Sequence, residues 1–245
     1  MTTIDTEDPL AVSVVAAIRA GDTAELRELL SAHSDLATAR LGDDDPDGMS
    51  RSLLHVVTDW PGHFPNGPET VRVLVEAGAD VNARFHGPHD ETPLHWAASS
   101  DDVAVLDALL DAGADIDAPG GVIAGATPLR DATAFGNDAA ARRLVARGAT
   151  VSDMDAAALG MVELLQAHLS AETDAATLNS LFWSACHGGQ LETAQHLLGL
   201  GGDRNWIPPW ENTSPLDAAA RRGASDVVTW LHSIGAQTDS DLKGC

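Results

Sequence analysis

The sequence predicts an all-α solenoid of stacked helix–turn–helix units with extended fingers between them, about six to seven units including the two caps. Three observations predict it. First, a helix-starting segment recurs as RSLLHVVT (Arg51 to Thr58), ETPLHWAA (Glu91 to Ala98), ATPLRDAT (Ala126 to Thr133), NSLFWSAC (Asn179 to Cys186) and TSPLDAAA (Thr213 to Ala220). Second, the copies keep step: Leu94 to Leu129 is 35 positions, and so is Leu181 to Leu216. Self-similarity at this period is the signature of stacked supersecondary units. Third, the fullest copy, Glu91 to Pro119, reads as a complete helical hairpin.

Within that hairpin Thr92 caps the first helix and Pro93 occupies its first turn, where a missing N–H costs nothing. Ala97 and Ala98 let a neighbouring helix approach closely. Val103, Leu106, Leu109 and Leu110 form an apolar stripe at helical spacing, and Gly113 supplies the left-handed residue that stops the second helix. Ala114 to Pro119 is too short and polar for another helix and reads as a finger.

From the amino terminus, residues 1 to 8 read as a disordered tail. Pro9 to Leu30 gives two helices broken at Gly21 and Asp22, an amino-terminal cap. The run LGDDDPDG (Leu41 to Gly48) has acids that could chelate calcium, but it lacks the ordered ligands and closing glutamate of a calcium loop and reads as a solvated finger. The second repeat is lengthened by WPGHFPNGPE (Trp60 to Glu69), a loop by composition. That loop either buries its own aromatics, Trp60 and Phe64, or makes a lip over a groove. Gly120 and Gly121 precede the fourth repeat without the GK[ST] of a phosphate loop. Leu129 to Leu181 spans 52 positions, so the fifth unit is irregular, with two short helices around Gly160. The finger after the sixth repeat, WIPPWENTSP, holds Trp206 and Trp210, and the seventh repeat carries Arg221, Arg222 and Trp230. The expected organisation is one domain over residues 9–238, with repeats at about 9–40, 50–83, 84–119, 122–151, 152–175, 176–205 and 210–238, and a tail over 239–245.

TPLHWAA, LLDAGADIDA, VLVEAGADVNA (Val73 to Ala83) and LVARGATV (Leu144 to Val151) resemble ankyrin repeats over nearly the whole chain. The resemblance implies a scaffold that binds partners with inner-helix ends and finger tips on its concave side. Carried over by position, the helix ends are Asp59 and Trp60, Ser99 and Ser100, Ala134 and Phe135, Cys186 and His187, Arg221 and Arg222. The finger positions are Met49 and Arg51, His89 and Glu91, Ile123 and Ala126, Trp210 and Glu211. It also implies that His55 and His95 hold their turns by hydrogen bonds to backbone, and that Arg130, Phe182 and Asp217 replace this histidine in later copies.

The candidate binding residues are therefore Trp60, Phe64, His89, Glu91, Trp96, Phe135, Trp183, His187, Trp206, Trp210, Arg221 and Arg222. Trp and Arg are the residues from which interface hot spots are built. The reading is a protein–protein interaction module that grips a partner with a concave aromatic and acidic face. A second reading is a small-molecule site or atypical enzyme in that groove, with Asp59, Asp131, His187 or Glu211 as its acids and bases. No ordered nucleophile, base and oxyanion set is spelled out. Cys186 and His187 are adjacent on a helix and point apart, so they do not form a nucleophile and base pair.

A net charge of −23, from 37 acids against 14 bases, disfavours nucleic acid and anionic lipid and suits a basic partner. Two cysteines, Cys186 and Cys245, give neither a disulfide framework nor metal-ligand spacing. His63, His86 and His89 lack spacing that demands a metal, and no cofactor is implied. The start of the chain is acidic and no apolar run reaches 18 residues, so the expectation is a cytoplasmic, monomeric protein without a membrane span.

Overall fold

The computed structural model describes residues 2–42, 48–170 and 172–243. The four acids of LGDDDPDG and Cys245 lie outside the described residues. Contacts divide the chain into two compact units, Met1–Ala149 and Thr150–Cys245.

The first unit holds four helix pairs: α1 (Pro9–Ala20) with α2 (Thr23–Ala32), α3 (Leu53–Thr58) with α4 (Gly67–Glu76), α5 (Pro93–Ser99) with α6 (Val103–Asp111), and α7 (Pro128–Phe135) with α8 (Asp138–Ala146). The first members pack in one row, α1 on α3 on α5 on α7, and the second members in another, α2 on α4 on α6 on α8. Two rows follow from the apolar pattern, because each short helix has one face for its partner and one for each neighbour. Leu54, Leu94 and Leu129, the same position in successive copies, are all fully buried. Gly113 takes φ +93°, the left-handed turn expected of it.

The helix starts show how the copies are tied together. In α5, His95 Nδ1 accepts from the Thr92 backbone N–H at 3.1 Å, so its Nε2 carries the proton and donates to the Ala126 carbonyl of the next repeat at 3.1 Å. His55 repeats the arrangement one unit earlier, reaching the Glu91 carbonyl at 3.2 Å. Both rings are fully buried, and burial pushes their pKa values down to about 3 for His55 and about 4 for His95. Each is a neutral staple between neighbouring repeats.

Before the second repeat, β2 (Arg40–Gly42) pairs antiparallel with β3 (Ser50–Ser52), and β1 (Thr3–Ile4) pairs in parallel with β2. This corrects the disordered amino-terminal tail: Thr3 and Ile4 are a strand, and the Arg40 backbone N–H donates to Thr2 at 2.9 Å. Arg40 itself is buried and donates to Ser50 Oγ, Ser50 O and Arg84 O.

The second unit holds three pairs: α9 (Asp153–Leu159) with α10 (Val162–His168), α11 (Ala175–His187) with α12 (Leu191–Gly199), and α13 (Pro215–Arg222) with α14 (Ser225–Ser233). Its core gathers Leu165, Leu181, Phe182, Leu197, Leu216 and Leu231. The irregular fifth repeat is a helix pair like the others. Its histidine is replaced by Asp155, whose carboxylate accepts from Ser152 N–H and Oγ. Asp217 does the same for α13, accepting from Ser214 Oγ at 2.9 Å and from the Asp239 N–H at 2.6 Å. The second contact corrects the carboxy-terminal tail, since Asp239–Lys243 forms a helix, α15, whose first residue is fastened to the last repeat. Among the described residues no helix is long and apolar enough to cross a membrane.

Candidate functional site

In the first unit the ends of α3, α5 and α7 come together around a groove of about 250 Å³. Its walls are the rings of Trp60, Trp96 and Phe135 with Val122, and its polar lining includes Asp59, Glu91, Ser99 and Ser100. Periodicity explains this, because the residues one step beyond the inner helix in three successive copies must lie side by side.

Trp60 owes its position to the insertion after α3. Gly62 N–H turns back onto Asp59 O at 2.7 Å. His63 N–H donates to Asp102 Oδ2 at 2.7 Å, and its Nε2 lies 3.0 Å from Ser100 O. On the other side Asn66 Nδ2 donates to Gly21 O at 2.9 Å. Pro65 packs so tightly there that a Cβ on Gly21, itself at φ +67°, would stand 2.1 Å from the Pro65 oxygen. Asp102 is 2% exposed and also caps α6 through Val105 N–H at 3.1 Å. The loop is therefore pinned at both neighbouring repeats, yet Trp60 is 82% exposed. Phe64 is half-buried within it.

Trp96 is the opposite case, a half-buried wall. The His55 ring meets it edge-on at 4.9 Å and Phe85 at 5.4 Å. Glu91 shares the groove lining with it, and burial holds that carboxyl above the usual carboxylate range. Among the described residues Glu91 has no ion-pair partner. Asp59 differs: Arg51 at 2.9 Å and Arg19 at 3.1 Å both pair with it. This corrects its reading as a free acid or base, since two guanidinium groups neutralise it.

Asp131 lies one helical turn before Phe135 and has no solvent exposure. Its Oδ1 accepts from Ile123 N–H at 3.3 Å, while Oδ2 has no partner among the described residues. Burial first, with the nearby Glu91 charge adding to it, pushes its pKa up to about 7. A Cβ at Gly121 would stand 2.6 Å from that orphan oxygen, which explains a glycine beside Asp131. Ser99 Oγ, in the groove wall, is likewise covered and unpartnered.

The second unit carries the remaining candidates. Trp206 and Trp210 meet edge-to-face at 5.6 Å; Trp206 is half-buried and Trp210 is 53% exposed. Arg221 donates to Glu211 at 2.8 Å and to Thr213 Oγ1 at 2.8 Å, so Glu211 is a paired carboxylate rather than a free base. Trp183 is corrected: it is 6% exposed, its N–H donates to Thr213 O at 2.8 Å, and His187 stacks on its face at 5.1 Å. Cys186 is also buried, which pushes its thiol well up, and so it is no groove nucleophile. Arg222 is half-buried, and His89 is an exposed finger residue. Among the described residues no three His, Cys, Asp or Glu are grouped to hold a metal ion.

Of the four acid–base candidates, Asp59 and Asp131 belong to the first unit and His187 and Glu211 to the second. Sequence reasoning missed Asp102, which pins the insertion, and Val122, which completes the groove. The one sequence signal Asp102 carries is that of an acid directly before a helical stripe, the position of a helix cap.

Short helix pairs in two rows, stapled by buried histidines from one copy to the next, define an all-α repeat solenoid. Residues 54–155 match the family described as ankyrin repeats, in three copies, and the chain belongs to the ankyrin-repeat family. Ankyrin repeats support a role in protein–protein interaction. It is 30% identical over 184 residues to an ankyrin repeat and KH domain-containing protein of Caenorhabditis briggsae, covering 70% of this chain and 7% of that one. It is 39% identical over 110 residues to palmitoyltransferase AKR1 of Kluyveromyces lactis, covering 44% and 13% respectively. Palmitoyltransferase Hip14 of Drosophila melanogaster is 43% identical over 88 residues, covering 35% and 13%. The chain thus spans only 7 to 13% of the length of these relatives.

Proposed function

We propose that this chain is a non-catalytic binding module that captures a basic protein partner through the groove between α3, α5 and α7. The observation that carries the reading is Trp60, an indole 82% exposed on a loop pinned at both sides. A large ring in water is unfavourable unless something covers it, and a ring carried on a pinned loop spares the backbone ordering cost on binding. The remaining groove contacts are Glu91, Trp96 and Phe135, with Phe64 and His89 at the margin. Trp206, Trp210, Arg221, Arg222 and His187 form a secondary set of contacts in the second unit. The charge of −23 supports a basic partner over nucleic acid, and it speeds the encounter. In this reading the repeats form one domain, monomeric and cytoplasmic.

A groove of about 250 Å³ falls below the roughly 300–1,000 Å³ of drug-sized ligand sites, which weighs against the small-molecule reading. The paired states of Asp59 and Glu211 weigh against catalysis by them.

The test is site-specific photocrosslinking in cells of the source organism, with a benzophenone amino acid placed at Phe135 and, for comparison, at Arg72 on α4. One partner crosslinked from Phe135 and not from Arg72, and lost in Trp60→Ala, is the expected result. Equal crosslinking from both positions, or a yield unchanged by Trp60→Ala, overturns the assignment.

A further inference from the structure

We infer that the groove between α3, α5 and α7 is a receptor for one arginine side chain of the partner, held between aromatic faces and against the Glu91 carboxylate. This deepens the binding-module reading and rests on it.

Size comes first. A groove of about 250 Å³ falls below the roughly 300–1,000 Å³ of drug-sized ligand sites and suits a single long side chain. Chemistry comes next. Three rings, Trp60, Trp96 and Phe135, line the groove, and aromatic faces attract cations through their quadrupole. Wall polarity then selects the sign of the guest. Arg19 and Arg51 already neutralise Asp59, so the charge left over at the groove is that of Glu91, which has no ion-pair partner among the described residues. The half-buried Glu91 carboxylate lines the same groove as the Trp96 ring, and a carboxylate accepts from donors on both its oxygens. An apolar guest would leave that half-buried carboxylate without a counter-charge.

Arginine fits better than other cations. Its guanidinium is planar, stacks on rings, is less strongly hydrated than an ammonium and keeps donors for a carboxylate. A quaternary ammonium has no N–H to give to Glu91. A lysine ammonium is a compact, strongly hydrated point charge with no planar face to stack on the rings.

Capped single amino acids serve as probes on the full chain: the N-acetyl, N-methylamide derivatives of arginine, citrulline, lysine, trimethyllysine and norleucine. Citrulline keeps the shape of arginine and removes its charge. The chain has six tryptophans, so six indole N–H resonances report the titration residue by residue. Arginine is expected to shift the Trp60 and Trp96 resonances, with citrulline at least about tenfold weaker and lysine weaker than arginine. Glu91→Gln, which keeps the side chain's shape and removes its charge, should weaken arginine binding about tenfold. Glu163→Gln, an exposed acid of the second unit, should leave it unchanged. Trp60→Ala should remove the Trp96 shift, and circular dichroism confirms that this exposed position leaves the fold intact.

Equal binding of arginine and citrulline, or preference for norleucine, lysine or trimethyllysine, overturns the arginine assignment, as does an arginine titration that moves only Trp206 and Trp210. If the Phe135 crosslink is seen together with any of these results, the binding-module reading stands and the arginine pocket alone falls.

Discussion

Replacing Asp131 with Asn should stabilise this protein at high pH and leave it little changed at low pH. The carboxyl has no solvent exposure and one oxygen without a partner, and its pKa is raised to about 7 from the ordinary 3.8. The folded chain therefore holds the proton more tightly than the unfolded chain. Its stabilising contribution is complete below about pH 4 and is lost as pH rises through 7. A shift of about three units corresponds to roughly 4 kcal/mol above pH 7, an upper figure because water entry and loop movement relieve part of it. Asn keeps an acceptor for the Ile123 N–H and removes the charge. Urea unfolding followed by circular dichroism from about pH 5 to pH 8.5, on Asp131→Asn and the unmodified chain, gives the difference at each pH. His55 and His95 titrate in both proteins, so their effects cancel in that difference. The variant should gain roughly 1–3 kcal/mol by about pH 8 relative to its difference at about pH 5, since part of the full shift is already spent below pH 5. A difference that does not change with pH would refute the argument, and Asp131 would then be solvated or paired.

Three further outcomes follow from the same structure. His95 has its pKa depressed to about 4 by burial, so its contribution is present above 6.5 and lost as pH falls through 4; His95→Gln should cost about 1–3 kcal/mol at neutral pH but flatten the acid limb of the stability curve. Asp102→Ala removes both the α6 cap and the His63 anchor, so it should cost about 1–2 kcal/mol and raise the mobility of Trp60, read as a fall in the order parameter of its indole N–H. Leu94→Ala, at a fully buried repeat position, should cost about 2–5 kcal/mol in chemical unfolding, whereas Trp60→Ala should stay within about 0.5 kcal/mol.

The stacked helices were legible because their cause is periodic. Leu94, Leu129 and Gly113 sit where a 35-residue step and helical spacing put them, and the TPLH histidines reach the backbone as the family resemblance implies. Trp60 and Phe135 were legible for the same reason, as the positions just past equivalent helices. What the pattern could not carry was pairing between residues far apart in sequence. Nothing in the order of residues says that Arg19 reaches Asp59 across 40 positions, or that His63 reaches Asp102 across 39. Trp183 went astray for a related reason, because only the folded chain brings the Thr213 carbonyl to its indole. The strand at Thr3 and Ile4 carries no alternation long enough to read, and its partner at Arg40 lies beyond two helices.

The pinned insertion has a consequence for how the molecule comes apart. In a column of modules that touch only their neighbours, the end module can peel away alone. Here Asn66 holds the first hairpin through Gly21 while His63 holds the third through Asp102, so a single seven-residue strap, Trp60 to Asn66, belts three modules together. Loosening the amino-terminal end then disturbs the belt, and with it the seat of Trp60. Damage at α1 or α2 is felt at the groove without any contact between them and a bound guest.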